Sequence, residues 1–143
     1  MTTDRPVLQP SPSHPITVEP NAARVRVTVA GQVVADTRRA LTLREGHYPA
    51  VQYVPLADVD RSLLVRSGTT SYCPFKGEAN YYSVPAGGER SVDAVWVYES
   101  PYPAVAEIKD HVAFYPDRVD AIEQLPGAGE GGSGSGAGAG GPV

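Results

Sequence analysis

The most regular feature of the chain is an alternation of polar and apolar residues. Arg24–Val29 alternates strictly, which places its valines on one face of a β-strand. Ala30, Gly31 and Gln32 then favour a turn, and residues 33–36 return as a second strand. This region therefore predicts a β-hairpin. Residues 39–43 alternate again, with the leucines of this stretch on the inner face.

Further short stretches rich in β-forming residues follow, separated by glycine and proline. Strands are predicted over residues 51–54, 62–66, 79–84, 93–99, 112–115 and 119–122. Helical signals are few: residues 103–110 favour one or two turns, and residues 57–63 favour another short turn. The pattern predicts an all-β, antiparallel domain with two sheets, as in a sandwich or a rolled open barrel.

The two ends differ in composition from the middle of the chain. Residues 1–15 hold four prolines and little apolar pattern, so we expect a disordered N-terminal segment. Residues 126–143 are almost entirely Gly, Ala and Ser, which predicts a flexible tail. A single β domain is expected over residues 16–125, which is long enough for a hydrophobic core.

Charge and apolar content exclude some classes of partner. The net charge of −4 and pI of about 5.3 argue against a nucleic-acid binder with a broad basic surface. No apolar run approaches the roughly 20 residues of a membrane span. A single cysteine permits no internal disulfide, and the N-terminus lacks a basic start followed by an apolar stretch. We therefore expect a cytoplasmic protein.

Ser71 to Val84 concentrates the rarest residue types of the chain. The stretch reads S-Y-C-P-F-K-G-E-A-N-Y-Y-S-V and holds the only cysteine, Cys73, and one of two lysines, Lys76. A cation near a thiol activates it as a nucleophile, and a lysine beside a turn can also bind a phosphate or carboxylate. The alternative is that Cys73 is a small buried hydrophobic residue and Lys76 a surface charge.

Aromatic residues form a second candidate feature. In a strand, Trp96 and Tyr98 share one face, whereas Tyr81 and Tyr82 point to opposite faces. One tyrosine of that pair is expected in the core, while the other could line a groove and stack on a ring.

The loop that begins at Arg44 offers charged and titratable groups. Arg44, Glu45 and His47 could supply an ion pair and a group for proton transfer, since histidine titrates near neutral pH. A loop histidine is more often solvated. His111 is expected to be structural, and His14 lies in the segment predicted to be disordered.

Several motifs together resemble one known family. The block T-S-Y-C-P-F-K-G-E-A-N-Y-Y-S-V is preceded by H-Y-P-A-V-Q-Y-V-P-L-A-D-V-D and followed by A-V-W-V-Y-E-S-P and H-V-A-F-Y-P-D-R-V-D. Over residues 16–124 the chain resembles a bacterial and fungal family catalogued as domain of unknown function 427 and labelled nucleotidyltransferase-like. The resemblance implies a β-tent or Mss4-like fold of two antiparallel sheets. Such relatives often hold zinc with paired cysteines, which this chain lacks.

The nucleotidyltransferase label calls for a test of Asp58-Val59-Asp60. Two carboxylates in this spacing hold magnesium when a Gly-Ser turn cradles the nucleotide phosphates. Here Gly46 is followed by His47, and no G-x-x-x-x-G-K-[ST] motif is present. An aspartate in a short turn more often caps a helix. The sequence therefore indicates no cofactor, and Asp58 and Asp60 remain a weak candidate for a metal site.

Three functions follow from these observations. The first is a binding domain for a small anionic ligand, with a pocket built from Arg44, Tyr48, Tyr53, Cys73, Lys76, Tyr81 and Trp96. The second is an enzyme, either with Cys73 as nucleophile assisted by Lys76 and His47, or with metal-dependent nucleotidyl transfer. The third is a protein-interaction domain that uses exposed sheet edges.

Overall fold

The computed structural model describes residues 5–126. The Gly-rich tail predicted from the sequence lies, beyond Pro126, outside the described residues. Ten strands are present: β1 Ile16–Asn21, β2 Arg24–Val29, β3 Gln32–Thr37, β4 Ala40–Glu45, β5 Val51–Pro55, β6 Val65–Cys73, β7 Gly77–Ser83, β8 Val95–Val97, β9 His111–Phe114 and β10 Ala121–Leu125. Short 3₁₀ helices span Leu56–Asp58, Arg61–Leu63, Pro85–Ser91, Pro103–Ile108 and Pro116–Arg118.

The strands form two antiparallel sheets. The large sheet has seven strands in the order β1-β4-β5-β9-β8-β7-β6, and the small sheet has three in the order β10-β2-β3. This confirms the predicted all-β, two-sheet class with few short helical turns. Within residues 5–126 the end strands β1 and β6 do not pair with each other, so the large sheet is an open one rather than a closed barrel.

The main core lies between the two sheets. Val25, Val27 and Val29 of β2 are fully buried and pack in one cluster with Val54 and Val97 of the large sheet. Burying each such side chain contributes about 1.5–3 kcal/mol. The predicted hairpin is confirmed, and residues 30 and 31 of its turn both have positive φ values, of 52° and 78°.

Several strand assignments differ from the sequence prediction, since β6 continues to Cys73 beyond the predicted end at residue 66 and β10 covers Ala121–Leu125 instead of residues 119–122. The strand predicted over residues 62–66 is wrong in its first half, because Arg61–Leu63 is a 3₁₀ helix whose start is capped by the Asp60 carboxylate. Strand β1 was not predicted, since Pro20 interrupts its β pattern. Its position at the edge of the sheet tolerates a proline, which cannot donate a ladder hydrogen bond.

The large sheet curls strongly around its outer face, the face turned away from the small sheet. Glu45 ends β4, and Lys76 lies in the turn that leads from β6 into β7. In the strand order of the sheet, β7 is four positions away from β4. In a flat sheet the backbones of these two residues would lie about 19 Å apart, which is farther than a lysine and a glutamate side chain reach together. The Lys76 Nζ nevertheless lies 2.5 Å from Glu45 Oε1. The outer face is therefore concave and carries a second core cluster that includes Leu43, Tyr53 and Trp96.

No helix between residues 5 and 126 is both long and apolar enough to cross a membrane.

Gly87 provides a test of the packing between Pro85–Ser91 and the small sheet. A Cβ at this position would collide with the Ser91 side chain and lie 2.8 Å from Val29 Cγ1. We therefore expect Gly87→Ala to lower the free energy of unfolding by about 1–3 kcal/mol, because the site is overpacked. Urea denaturation measures this.

Gly68→Ala is the matched control. An added Cβ at Gly68 meets nothing within 4 Å, so its effect should stay within about 0.5 kcal/mol. Equal destabilisation by both variants would contradict the described packing of Gly87.

Candidate functional site

The concave outer face of the large sheet holds a cavity of about 410 Å³, here called the aromatic pocket. Six of the seven predicted pocket residues line it: Tyr48, Tyr53, Cys73, Lys76, Tyr81 and Trp96. The remaining lining residues are Leu43, Glu45, Pro49, Val51, Ser71, Tyr72, Tyr98 and Tyr115. The structure thus brings residues from β4 to β8 together at one site.

The C-P-F-K-G segment forms the turn between β6 and β7. The Lys76 backbone N–H donates to the Cys73 carbonyl at 3.1 Å, and Gly77 adopts a φ of 112°, which favours glycine. The Lys76 side chain folds inward and is only 10% exposed. Lys76 is therefore not the surface charge of the alternative interpretation, whereas Cys73 is half-buried and contacts the cavity.

Lys76 makes two polar contacts in the pocket. Its Nζ lies 2.5 Å from Glu45 Oε1 and 3.7 Å from Cys73 Sγ. The predicted ion pair of Glu45 thus exists, but its partner is Lys76 rather than a neighbour in the loop. The geometry places an ammonium beside a thiol, as a nucleophile or an anion site would require.

His14 completes this network and corrects a prediction. The sequence placed it in a disordered segment, but its Nε2 lies 2.8 Å from Glu45 Oε2 and its ring stacks on Phe75 with centroids 4.1 Å apart. The preceding chain is also in contact with the turn, since the Leu8 N–H donates to the Pro74 carbonyl at 3.0 Å.

The pKa of Glu45 follows from this arrangement. Burial alone would raise it, but the hydrogen bonds and charges of Lys76 and His14 together outweigh burial and hold the pKa below its ordinary value. Glu45 is therefore a carboxylate at neutral pH, and the pair it forms with Lys76 has no net charge.

The walls of the pocket are aromatic and carry neutral hydroxyls. Trp96 Nε1 donates to the Tyr53 hydroxyl at 3.1 Å, and Tyr81 shares a 2.8 Å hydrogen bond with Ser71. The Tyr98 hydroxyl has no side-chain or backbone partner among residues 5–126. Burial raises the pKa of Tyr53 and of Tyr98 above the ordinary value of 10. These phenols therefore stay protonated at neutral pH.

The structure separates other predicted site residues from the pocket. Arg44 adjoins Glu45 on β4, so its side chain lies on the opposite face of the sheet and lines a different cavity. His47 is exposed and does not line the aromatic pocket. His111 contacts the Lys109 carbonyl at 2.8 Å through Nδ1.

The two aspartates of the D-x-D motif have other partners. Asp58 accepts a hydrogen bond from Thr37 at 2.6 Å and pairs with Arg39, while Asp60 caps the helix that begins at Arg61. In the part of the chain that the structure describes, no group of three or more His, Cys, Asp or Glu side chains is arranged to hold a metal ion.

Sequence reasoning missed some residues of the site. Tyr115 had no recognisable signal, because its place depends on how strands distant in sequence pair, whereas Ser71 begins the stretch that the sequence singled out but was not named as a pocket residue. Tyr98 did carry a sequence signal, since it shares a strand face with Trp96. For His14 the only available signal was its aromatic ring, which stacks on Phe75.

Comparison with known protein families agrees with the sequence resemblance. The family described as a domain of unknown function, DUF427, matches residues 17–125, so the chain belongs to this family. A comparison with curated proteins gives no match.

Acid sensitivity tests the role of Glu45. The pKa of Glu45 is lower in the folded state than its ordinary value of 4.5, so ionised Glu45 stabilises the fold at pH values above 4.5. This contribution is lost as the pH falls through the folded-state pKa. We expect Glu45→Gln to cost about 3 kcal/mol at pH 7, since it leaves the buried Lys76 ammonium without a carboxylate. The variant should lose less further stability on acidification than the native chain.

Urea midpoints at neutral pH and at about pH 3 measure both effects. Glu107→Gln is the matched control, because Glu107 is exposed on Pro103–Ile108. Parallel acid profiles for the native chain and Glu45→Gln would show that the carboxylate does not stabilise the fold as described.

Proposed function

We propose that this domain binds a small molecule in the aromatic pocket. The observation that supports this most directly is the convergence of Tyr53, Trp96 and the uncommitted Tyr98 hydroxyl with Lys76 around one cavity. A cavity of about 410 Å³ with aromatic walls and a few polar groups has the size and composition of small-molecule sites.

The side chains define the shape of the ligand. Trp96 and Tyr115 lie with ring centroids 4.5 Å apart, and with Tyr53 they offer flat apolar surfaces to a planar ring. The Tyr98 hydroxyl can donate to or accept from a polar group on that ring. The ligand class is therefore a planar ring with at least one hydrogen-bonding substituent.

Lys76 can bind an anionic substituent of the ligand, but it has fewer free donors and fewer cationic neighbours than the sequence suggested. A lysine ammonium has three N–H donors, and Glu45 and Cys73 occupy two of them. Arg44 cannot contribute, because it lies on the other face. Since Glu45 balances the charge of Lys76, the pocket suits a single negative charge better than a phosphate dianion.

A second candidate function is catalysis with Cys73 as nucleophile. The contact of Cys73 Sγ with Lys76 Nζ at 3.7 Å, at the wall of a cavity, supports it. His47 is too exposed to assist, and His14 reaches this network only through Glu45. The contacts of Asp58 and Asp60 lend no support to metal-dependent nucleotidyl transfer.

A thermal-shift screen tests the binding proposal. Nucleobases, nucleosides and aromatic carboxylates should include a compound that raises the Tm, since a ligand at about 100 times its Kd adds about 2.7 kcal/mol. Tyr98→Phe should weaken that compound about tenfold, because it removes one buried hydrogen bond. Tyr82→Phe is the control, since Tyr82 lies on the opposite face of β7. An equal loss of affinity in Tyr98→Phe and Tyr82→Phe would show that the compound binds outside the aromatic pocket.

Alkylation of Cys73 tests occupancy and reactivity together. Cys73 is the only cysteine of the chain, so a thiol reagent reports on this wall alone. A compound that raises the Tm should slow the alkylation of Cys73. An alkylation rate that is the same with and without the compound would contradict binding in the pocket. For the catalytic alternative, Lys76→Met should slow alkylation of the free protein severalfold by removing the ammonium beside the sulfur. Unchanged rates in Lys76→Met would argue against an activated thiol.

A further inference from the structure

A second cavity, of about 560 Å³, lies between the two sheets at the end formed by β1, β4, β5, β2 and β10. We propose that it is a binding site for a small organic carboxylate, separate from the aromatic pocket. We call it the amide cavity. Its polar lining residues are Glu19, Asn21, Thr42, Arg44, Gln52 and Gln124.

Strand alternation separates the amide cavity from the aromatic pocket. Thr42 and Arg44 of β4 line the amide cavity, whereas Leu43 and Glu45 of the same strand line the aromatic pocket. Because successive side chains of a strand point to opposite faces, one sheet forms a wall of both sites. Val51 borders both cavities, but their polar lining residues differ, so a ligand can occupy either site.

Three side-chain amides form a hydrogen-bonded network in the cavity. Gln52 Oε1 accepts from Asn21 Nδ2 and from Thr42 Oγ1, each at 2.9 Å. Gln124 Oε1 accepts from the same Asn21 amide at 3.1 Å. Asn21 Oδ1 in turn accepts from the backbone N–H of Ala23 at 2.9 Å.

In this network the three amide oxygens all accept hydrogen bonds, whereas two of the three NH₂ groups donate none to any described residue. Within residues 5–126, the NH₂ groups of Gln52 and Gln124 have no hydrogen-bond partner, and neither is a buried, unsatisfied atom. Both groups are therefore open to solvent in the cavity, and each offers N–H donors to a ligand. A ligand that complements them must carry acceptor oxygens.

Arg44 adds a cation to this set of donors. It is exposed, and in the described part of the chain it makes no ion pair or side-chain hydrogen bond. A guanidinium presents parallel N–H donors that match both oxygens of a carboxylate. Arg44 was predicted to bind an anion from the sequence, and the structure places it in this cavity instead of beside Lys76.

Charge and wall composition favour a carboxylate over phosphate. Glu19 of β1 also lines the cavity and balances the charge of Arg44, so a dianion would be repelled more than a monoanion. Ala50, Pro116 and Ile122 are half-buried and provide apolar wall for an organic body. The site is therefore suited to a carboxylate attached to an apolar group.

NMR titration with benzoate tests this inference, with benzamide as the neutral counterpart and inorganic phosphate as the competing anion. We expect benzoate to shift the side-chain amide resonances of Gln52 and Gln124 saturably. Arg44→Gln should weaken this binding about tenfold or more, because it removes a charge-assisted hydrogen bond. Arg38→Gln is the matched control, since Arg38 is an exposed arginine outside the cavity.

Three results would overturn the inference. They are the absence of saturable shifts with benzoate, equal binding of benzamide or phosphate, and equal effects of the two arginine substitutions. The readout is distinct from that of the aromatic pocket, because Gln52 and Gln124 do not line that pocket. Failure of one proposal therefore leaves the other standing.

Discussion

The ion pair of Glu45 and Lys76 joins two parts of the large sheet that strand pairing alone would keep about 19 Å apart. The two side chains meet because the sheet curls, and the curl makes the outer face concave enough to hold the aromatic pocket. His14 ties the N-terminal segment to the same carboxylate. The curvature of the sheet thus brings together the two ends of the pocket wall, and the half-buried Glu45 carboxylate links both of them to the N-terminal segment.

Strand alternation explains how a domain this small offers two cavities. β4 and β5 alternate between side chains that face the small sheet and side chains that face outward. The inward set includes Gln52 and forms an amide-lined cavity, whereas the outward set includes Tyr53 and forms an aromatic one. The two cavities therefore differ in chemistry although one sheet forms a wall of both.

The sequence predicted the fold class and six of the fourteen residues that line the aromatic pocket, because strict alternation and rare residue types are local signals. It misplaced Arg44, although the same alternation that turns Leu43 toward the aromatic pocket turns its neighbour away. The partnership of Glu45 with Lys76 could not be predicted, since it depends on the curvature of a sheet whose strand order is set by long-range pairing. The contact of His14 with Glu45 could not be predicted either, because it too depends on long-range strand pairing.

A double-mutant cycle of Glu45→Gln and Lys76→Met, read out by urea denaturation, tests the central claim most directly. If the pair closes the concave face as described, the two substitutions should be coupled by at least about 1 kcal/mol, because the second substitution removes the unpaired charge that the first one leaves behind. Additivity within about 0.5 kcal/mol would contradict the account, since it would mean that Glu45 and Lys76 stabilise the fold independently of each other.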